Sequence, residues 1–238
     1  TLQLKIGWVM FLIETIKELQ KKINELKSGG TVGLVPTMGA LHAGHISLVN
    51  KAVSENQVVV VSIFVNPTQF NDLKDLEMYP RTLDVDLELL KETGCNIVFA
   101  PSVKEVYPEP DSRKFDFGSL ETVMEGKHRP GHFNGVAQVV SKLFEMVKPD
   151  KAYFGLKDFQ QLAIIKNLVK QLELPVEIIP CPIVREETGL AMSSRNELLS
   201  ADERKNAATI SATLFKAKEL TGQKSVQELA VWIEENIN

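Results

Sequence analysis

The chain has 238 residues, 44% of them hydrophobic and 24% charged, a balance that excludes a disordered tail or a fibrous array. Its net charge is −4 and no block of Lys and Arg stands out, so the electrostatic footprint of a DNA or tRNA binder is missing and no nucleic-acid partner is expected. The two cysteines, Cys95 and Cys181, sit among apolar residues without a CxxC partner, which excludes a disulfide framework or a zinc ribbon and leaves two buried free thiols.

Residues 1–9 precede Met10 and read as an upstream extension outside the fold. The apolar stretch 6–13 is too short to cross a bilayer and no cleavage pattern follows it, so the expectation is a cytoplasmic protein with no membrane partner. From Ile13 on, Ile16, Leu19, Ile23 and Leu26 recur at three- and four-residue spacing, which predicts an amphipathic helix ended by Ser28-Gly29-Gly30. Residues 31–35 predict a strand, because they are apolar, β-branched at both ends and followed by Pro36, which favours an extended residue before it. After a glycine-rich turn, Ile46, Leu48, Val49, Ala52 and Val53 keep helical period as far as Asn56. The near-continuous apolar run 58–64 then has the character of a central parallel strand.

The alternation continues with a helix at 82–93, a strand at 96–100, helices at 134–147 and 157–172, and strands at 151–154 and 176–179. Such βα alternation predicts an α/β, Rossmann-like, doubly wound parallel sheet with helices on both faces, whose ligands bind beyond the carboxyl ends of the strands. After Arg195 only helices follow, at 201–220 and 225–237, so the expected division is a sheet domain at 10–183 and a small C-terminal domain at 184–238.

The first chemistry-bearing segment is Pro36-Thr37-Met38-Gly39-Ala40-Leu41-His42-Ala43-Gly44-His45, between a strand and a helix. Its glycines allow close backbone approach, and the following helix, expected to start near His45, presents free N–H groups and a positive dipole end suited to phosphate. No Lys follows Gly44 and the glycine spacing is wrong for a Walker loop or a dinucleotide fingerprint, so histidine would meet phosphate here. An HxxH pair alone divides evenly between a functional site and histidines that cap the helix, with metal ligation a smaller third share. The other two histidines, His128 and His132, are separated by Pro130 and Gly131, which break the helix a metal site would need. A second segment, 189–196, contains Met192, Ser193, Ser194 and Arg195; its hydroxyls and guanidinium suit phosphates, although such a triplet alone is more often a solvated loop with a helix cap.

The HxGH element after a first strand resembles the nucleotidylyltransferase and class I aminoacyl-tRNA synthetase superfamily. The longer string PTMGALHAGH, together with 64–70, 129–136, 153–161 and the Ser193-Ser194-Arg195 loop, is similar to the pantothenate synthetase family over roughly 13–196. That resemblance implies ATP-dependent activation of pantoate as an acyl adenylate and transfer of the acyl group to β-alanine, with Mg2+ accompanying ATP and with a homodimer as the assembly. The implied catalytic residues are His42, His45, Lys157, Ser193, Ser194 and Arg195. ATP binding is implied for Pro36 through His45, for Gly155, Leu156, Lys157 and Asp158, for Val184, and for Met192 through Arg195. Pantoate is assigned to Met38, Gln69 and Gln161, and β-alanine to Gln69; no metal ligand is assigned. Asp86 could serve as an outer-sphere partner of Mg2+ or simply lie on a helix surface.

Tyr79-Pro80-Arg81 and Glu125…Arg129 also resemble the family, with implied work in closing the site, at the β-alanine end or in a dimer contact. Leu156 and the segment 71–75 depart from its usual residues. Relative to the family the C-terminal lid domain reads as truncated at Asn238. The rival enzyme reading is a nucleotidylyltransferase acting on a phosphate-bearing substrate, and the rival from another class is a non-catalytic nucleotide-binding protein. The uncharged amides of Gln69 and Gln161 discriminate against the first, because a phosphate would call for Arg or Lys there.

Overall fold

The structure, a computed structural model, describes residues 9–237, so the expectation of an upstream extension at 1–9 falls outside it except for Val9. Six strands form one parallel sheet: β1 (Phe11–Ile13), β2 (Val32–Thr37), β3 (Val58–Ile63), β4 (Ile97–Phe99), β5 (Lys151–Gly155) and β6 (Glu177–Cys181). Their order across the sheet is β1-β4-β3-β2-β5-β6. The helices are α1 (Ile16–Lys27), α2 (Ala43–Glu55), α3 (Leu73–Met78), α4 (Leu83–Lys91), α5 (Val103–Val106), α6 (Met124–His128), α7 (His132–Val147), α8 (Phe159–Gln171), α9 (Ala201–Glu219) and α10 (Val226–Ile237). Contacts group the chain into two compact units. One runs to Leu41 and again from His45 to Pro182; the other comprises His42–Gly44 and the chain from Ile183 on.

The doubly wound sheet follows from side-chain alternation in strands that are buried on both faces. In β3, Val58 and Val60 point into a core shared with Leu19 and Ile23 of α1, Val136 and Val140 of α7, and Ile164 and Leu168 of α8. Val59 and Val61 point the other way, into a core with Val49 and Ala52 of α2 and Leu90 of α4. Cys95 and Cys181 are both buried, in keeping with their apolar neighbours, and burial pushes the Cys95 thiol up to about 11.

One expectation is corrected at the first element. Ile13 does not open a helix: it ends the edge strand β1, which pairs in parallel with β4 through Phe11↔Ile97, Leu12↔Val98 and Ile13↔Phe99. The helix starts three residues later, capped by the Thr15 side chain, which accepts from the Glu18 N–H at 3.3 Å.

The strand order places the switch point between β2 and β5, with β3 on the far side of β2. β2 and β3 run in register up to Thr37↔Ile63, so the segments leaving both strands emerge side by side. The turn after β5, Leu156–Asp158, leaves the same edge of the sheet, because all the strands are parallel. In the second unit, Arg185 and Ala191 form an antiparallel bridge, and α9 opens with a complete capping box between Ser200 and Glu203.

Candidate active site

The segment after β2 is built by three polar anchors. The Thr37 hydroxyl donates to the Ser62 carbonyl at 2.7 Å and accepts from the Gly39 N–H at 3.2 Å, closing a tight turn at the strand end. Gly39 (φ +83°) and Ala40 (φ +49°) are both left-handed, and the Ala40 and Leu41 N–H groups turn onto the carboxylate of Asp86 at 3.0 and 2.7 Å. Thr82 also donates to that carboxylate, at 3.3 Å. Burial pushes the Asp86 carboxyl up from its usual range, opposed by the N–H donors of Leu41 and Ala40.

Asp86 is therefore not on a helix surface: it is 1% exposed and stands in the apolar stripe of α4 with Leu83, Leu87 and Leu90, at three- and four-residue spacing. Both of its oxygens are engaged by the protein, Oδ1 by Leu41 and Thr82 and Oδ2 by Ala40.

Helix α2 begins at Ala43, two residues earlier than the expected start. His42 precedes it, and its Nδ1 accepts from the Gly44 N–H at 3.1 Å. The imidazole thus caps the helix, and the cap fixes its tautomer. An accepting Nδ1 carries no proton, so in the neutral ring the proton sits on Nε2. His45 lies in the first turn of α2, half-buried.

Beyond β3, Asn66 is 1% exposed and organises the short turn Pro67–Gln69. Its Oδ1 accepts from the Thr68 and Tyr107 hydroxyls at 3.1 and 3.0 Å, while its amide donates to Gln69 Oε1 at 3.1 Å and to the Gly135 carbonyl at 3.2 Å. The Gln69 carbonyl accepts from His132 Nδ1 at 2.7 Å and from Arg129 at 3.4 Å. Gln69 Nε2 then rests on Met38 Sδ at 3.1 Å, which brings together two residues assigned from sequence to one substrate. Gln161, the third, is half-buried in the first turn of α8. Its neighbour Gln160 is buried and ties α8 to the segment before it, donating to the Leu120 and Val123 carbonyls at 2.7 and 2.8 Å and accepting from the Glu125 N–H at 3.0 Å.

Lys157 and Asp158 form an exposed ion pair at 3.3 Å in the turn before α8. Glu125 and Arg129 pair at 3.0 Å across one turn of α6, and Arg81 donates to the carbonyls of Leu76, Glu77 and Tyr79, capping α3. In the second unit Ser193 accepts from the Arg195 N–H at 3.3 Å and so caps the short turn Ser194–Leu198. Behind that turn Glu186 receives Arg204 Nε and Nη2, each at 3.0 Å, and the Asn196 amide at 2.8 Å. The arginine and the amide hold its carboxyl below the usual range.

Sequence reasoning does not single out Asn66, His132, Gly135 or Gln160 as functional, and it reaches Asp86 only through the outer-sphere suggestion. The spacing of Asp86 within a leucine stripe is its signal; the others lie inside the family-like strings 64–70, 129–136 and 153–161, but their roles show only through partners distant in sequence.

A family model described as pantoate-beta-alanine ligase matches residues 11–238. A curated pantothenate synthetase of Bacteroides fragilis is 61% identical over 229 residues, covering 96% of this chain and 81% of its own length. The pantothenate synthetase of Phocaeicola vulgatus is 62% identical over 230 residues, with 96% and 82% covered. Among solved structures, the pantothenate synthetase of Thermus thermophilus superposes with a TM-score of 0.90 at 46% identity, covering 96% of this chain and 82% of that one. The pantoate-beta-alanine ligase of Francisella tularensis complexed with beta-gamma ATP and beta-alanine gives 0.86 at 41% identity, with 96% and 86% covered.

Proposed function

The chain belongs to the pantoate–β-alanine ligase family and joins pantoate to β-alanine with ATP, and we propose that it does so in two half-reactions within one site. A carboxylate oxygen of pantoate attacks the α-phosphorus of ATP and pyrophosphate leaves, giving pantoyl adenylate. The amine of β-alanine then attacks the acyl carbon, AMP leaves, and the amine proton passes to solvent. The enzyme itself takes no covalent part.

Its work is positioning and charge stabilisation. His45, in the first turn of α2, and His42, with its proton on Nε2, donate to phosphate oxygens as charge builds in the transition state. Lys157, Ser193, Ser194 and Arg195 receive the departing pyrophosphate, and Gly155, Leu156 and Asp158 hold the nucleotide. The contact that best supports the substrate assignment is Gln69 Nε2 on Met38 Sδ. A thioether is a weak acceptor, so the amide can exchange it for a pantoate oxygen at small cost.

Magnesium fits as the companion of the triphosphate, whose charge it would neutralise. Among the described residues no three His, Cys, Asp or Glu side chains gather to hold a metal, so phosphate and water would supply its ligands. The domain assignment is a nucleotide- and pantoate-binding domain at 10–183 with a small C-terminal domain at 184–238. The assembly is a cytoplasmic homodimer; among the described residues no helix is long and apolar enough to cross a membrane.

The test is pyrophosphate release with ATP and pantoate, followed by AMP and pantothenate formation on adding β-alanine. Release that ignores pantoate, or a product that retains the nucleotide after β-alanine is added, would point to the nucleotidylyltransferase reading instead. In the same assay, Gln69→Ala and Gln161→Ala are expected to raise the KM for pantoate well above any change in that for ATP. Loss of one hydrogen bond to a buried polar partner costs about 1–3 kcal/mol, enough for a clear shift. Equal effects on both substrates would mean that the amides shape the site in general and do not read pantoate.

A further inference from the structure

We propose that Asp86 is a positioning residue for this reaction, its buried carboxylate holding the loop Met38–Leu41 in the left-handed form in which that loop meets ATP and pantoate. The inference rests on the ligase reading above. Two consecutive residues at positive φ, the second an alanine, do not keep that conformation unaided; the backbone must be held. Asp86 holds it from below. Each of its oxygens takes one N–H, Oδ1 from Leu41 and Oδ2 from Ala40, and the Thr82 hydroxyl completes the set. The carboxylate is itself fixed by the first turn of α4, where the Asp86 N–H donates to the Thr82 carbonyl at 2.9 Å.

The glycine above it is part of the same device. A Cβ on Gly39 would stand 3.0 Å from Asp86 Oδ2 and 3.0 Å from Ile63 Cγ2, so a bare backbone is what lets the carboxylate close beneath the loop. A consequence follows for the nucleotide. The Ala40 and Leu41 N–H groups, which such a glycine turn would otherwise aim at phosphate, are spent on Asp86. Phosphate recognition on this side of the site then falls to the histidines and the start of α2.

Asp86→Asn keeps the shape but supplies one acceptor oxygen and one NH2 group, so one loop N–H faces a donor and the loop is released. Steady-state kinetics of this variant are expected to show the KM for ATP raised about 10-fold or more, with the active-site-titrated kcat changed far less. A merely structural loss would lower the active fraction and leave KM where it was. Asp84→Asn, an exposed neighbour on the same helix, removes the same charge and is expected to match the wild type. Hydrogen exchange of the protein without substrates provides a second readout: the Ala40 and Leu41 amides are expected to exchange slowly in the wild type and at least about 10-fold faster in D86N.

If the KM for ATP stays within about twofold, or if those two amides exchange no faster in D86N, the inference is wrong. Should D86N fail to fold, the wild type alone decides, since exchange of both amides at the rate of an open loop would overturn it. A wild type that releases no pyrophosphate would sink the ligase reading instead, and the exchange measurement would still decide whether Asp86 holds the loop.

Discussion

Replacing His45 with alanine is expected to lower pyrophosphate release from ATP and pantoate by about 10²-fold or more, with the melting temperature nearly unchanged. The side chain sits in the first turn of α2, half-buried, at the positive end of the helix dipole. An imidazole added to that field donates to phosphate oxygens whose charge grows as the α-phosphorus is attacked. Removing it takes away stabilisation made in the transition state, so kcat should carry the loss. His42 needs a different substitution, because its Nδ1 also caps the helix. His42→Ala removes the cap and the Nε2 donor together, whereas His42→Asn restores a good capping side chain without an imidazole. If His42→Asn regains stability but not activity, the two roles separate; if His45→Ala keeps the wild-type rate, His45 has no part in catalysis.

The central architecture is legible in sequence because strands such as 58–64 must be apolar on both faces, and the alternation of helical and strand periods leaves few other topologies. The edge strand Phe11–Ile13 is not legible. Three residues carry no period, and the apolar Ile13 continues the stripe of the following helix in projection. Thr15 and Glu18 are the better signal, since a threonine followed three residues later by glutamate marks a helix start, and the structure puts it there. The short helices α3, α5 and α6 also escape a reading by period. The segment leading into α6 is held by Gln160, tens of residues away in the chain, and a local window cannot contain both ends of such a bond, whereas α3 is closed by Arg81 from within five residues but is too short to show a period. The site divides in the same way. Residues assigned to substrate lie in strings that sequence resemblance picks out; Asn66 and His132 lie in those strings too and Asp86 outside them, but what the three do, holding the strings in place across tens of residues, shows only in the fold. Two bland readings are also structurally true, since His42 and Ser193 each cap a helical turn.

Gly135→Ala is the second substitution expected to have a large effect, although no substrate contact is assigned to the residue. A Cβ on Gly135 would stand 2.3 Å from the Thr68 carbonyl oxygen, 2.7 Å from its carbon and 2.9 Å from Gln69 Cα. All three are backbone atoms, so no rotamer change relieves the clash. The turn Pro67–Gln69 must move away from α7, and it carries Gln69 with it. The Asn66 amide then loses the Gly135 carbonyl, and the Gln69 carbonyl loses its fit to His132. Overpacking of this kind costs about 1–3 kcal/mol of stability, and a displacement of about 1 Å in a substrate-positioning group can cost about 10²-fold in rate. The expected result is therefore a folded enzyme with a lowered melting temperature, a KM for pantoate raised about 10-fold or more, and a smaller change in the KM for ATP. Gly29→Ala is the matching control: its φ of +81° strains an alanine, but nothing lies within 4 Å of the added carbon, so stability should fall slightly and the kinetics should not change. If Gly135→Ala binds pantoate as the wild type does, the turn can shift without moving the Gln69 amide, and close packing of α7 beneath that turn is not what aligns the substrate.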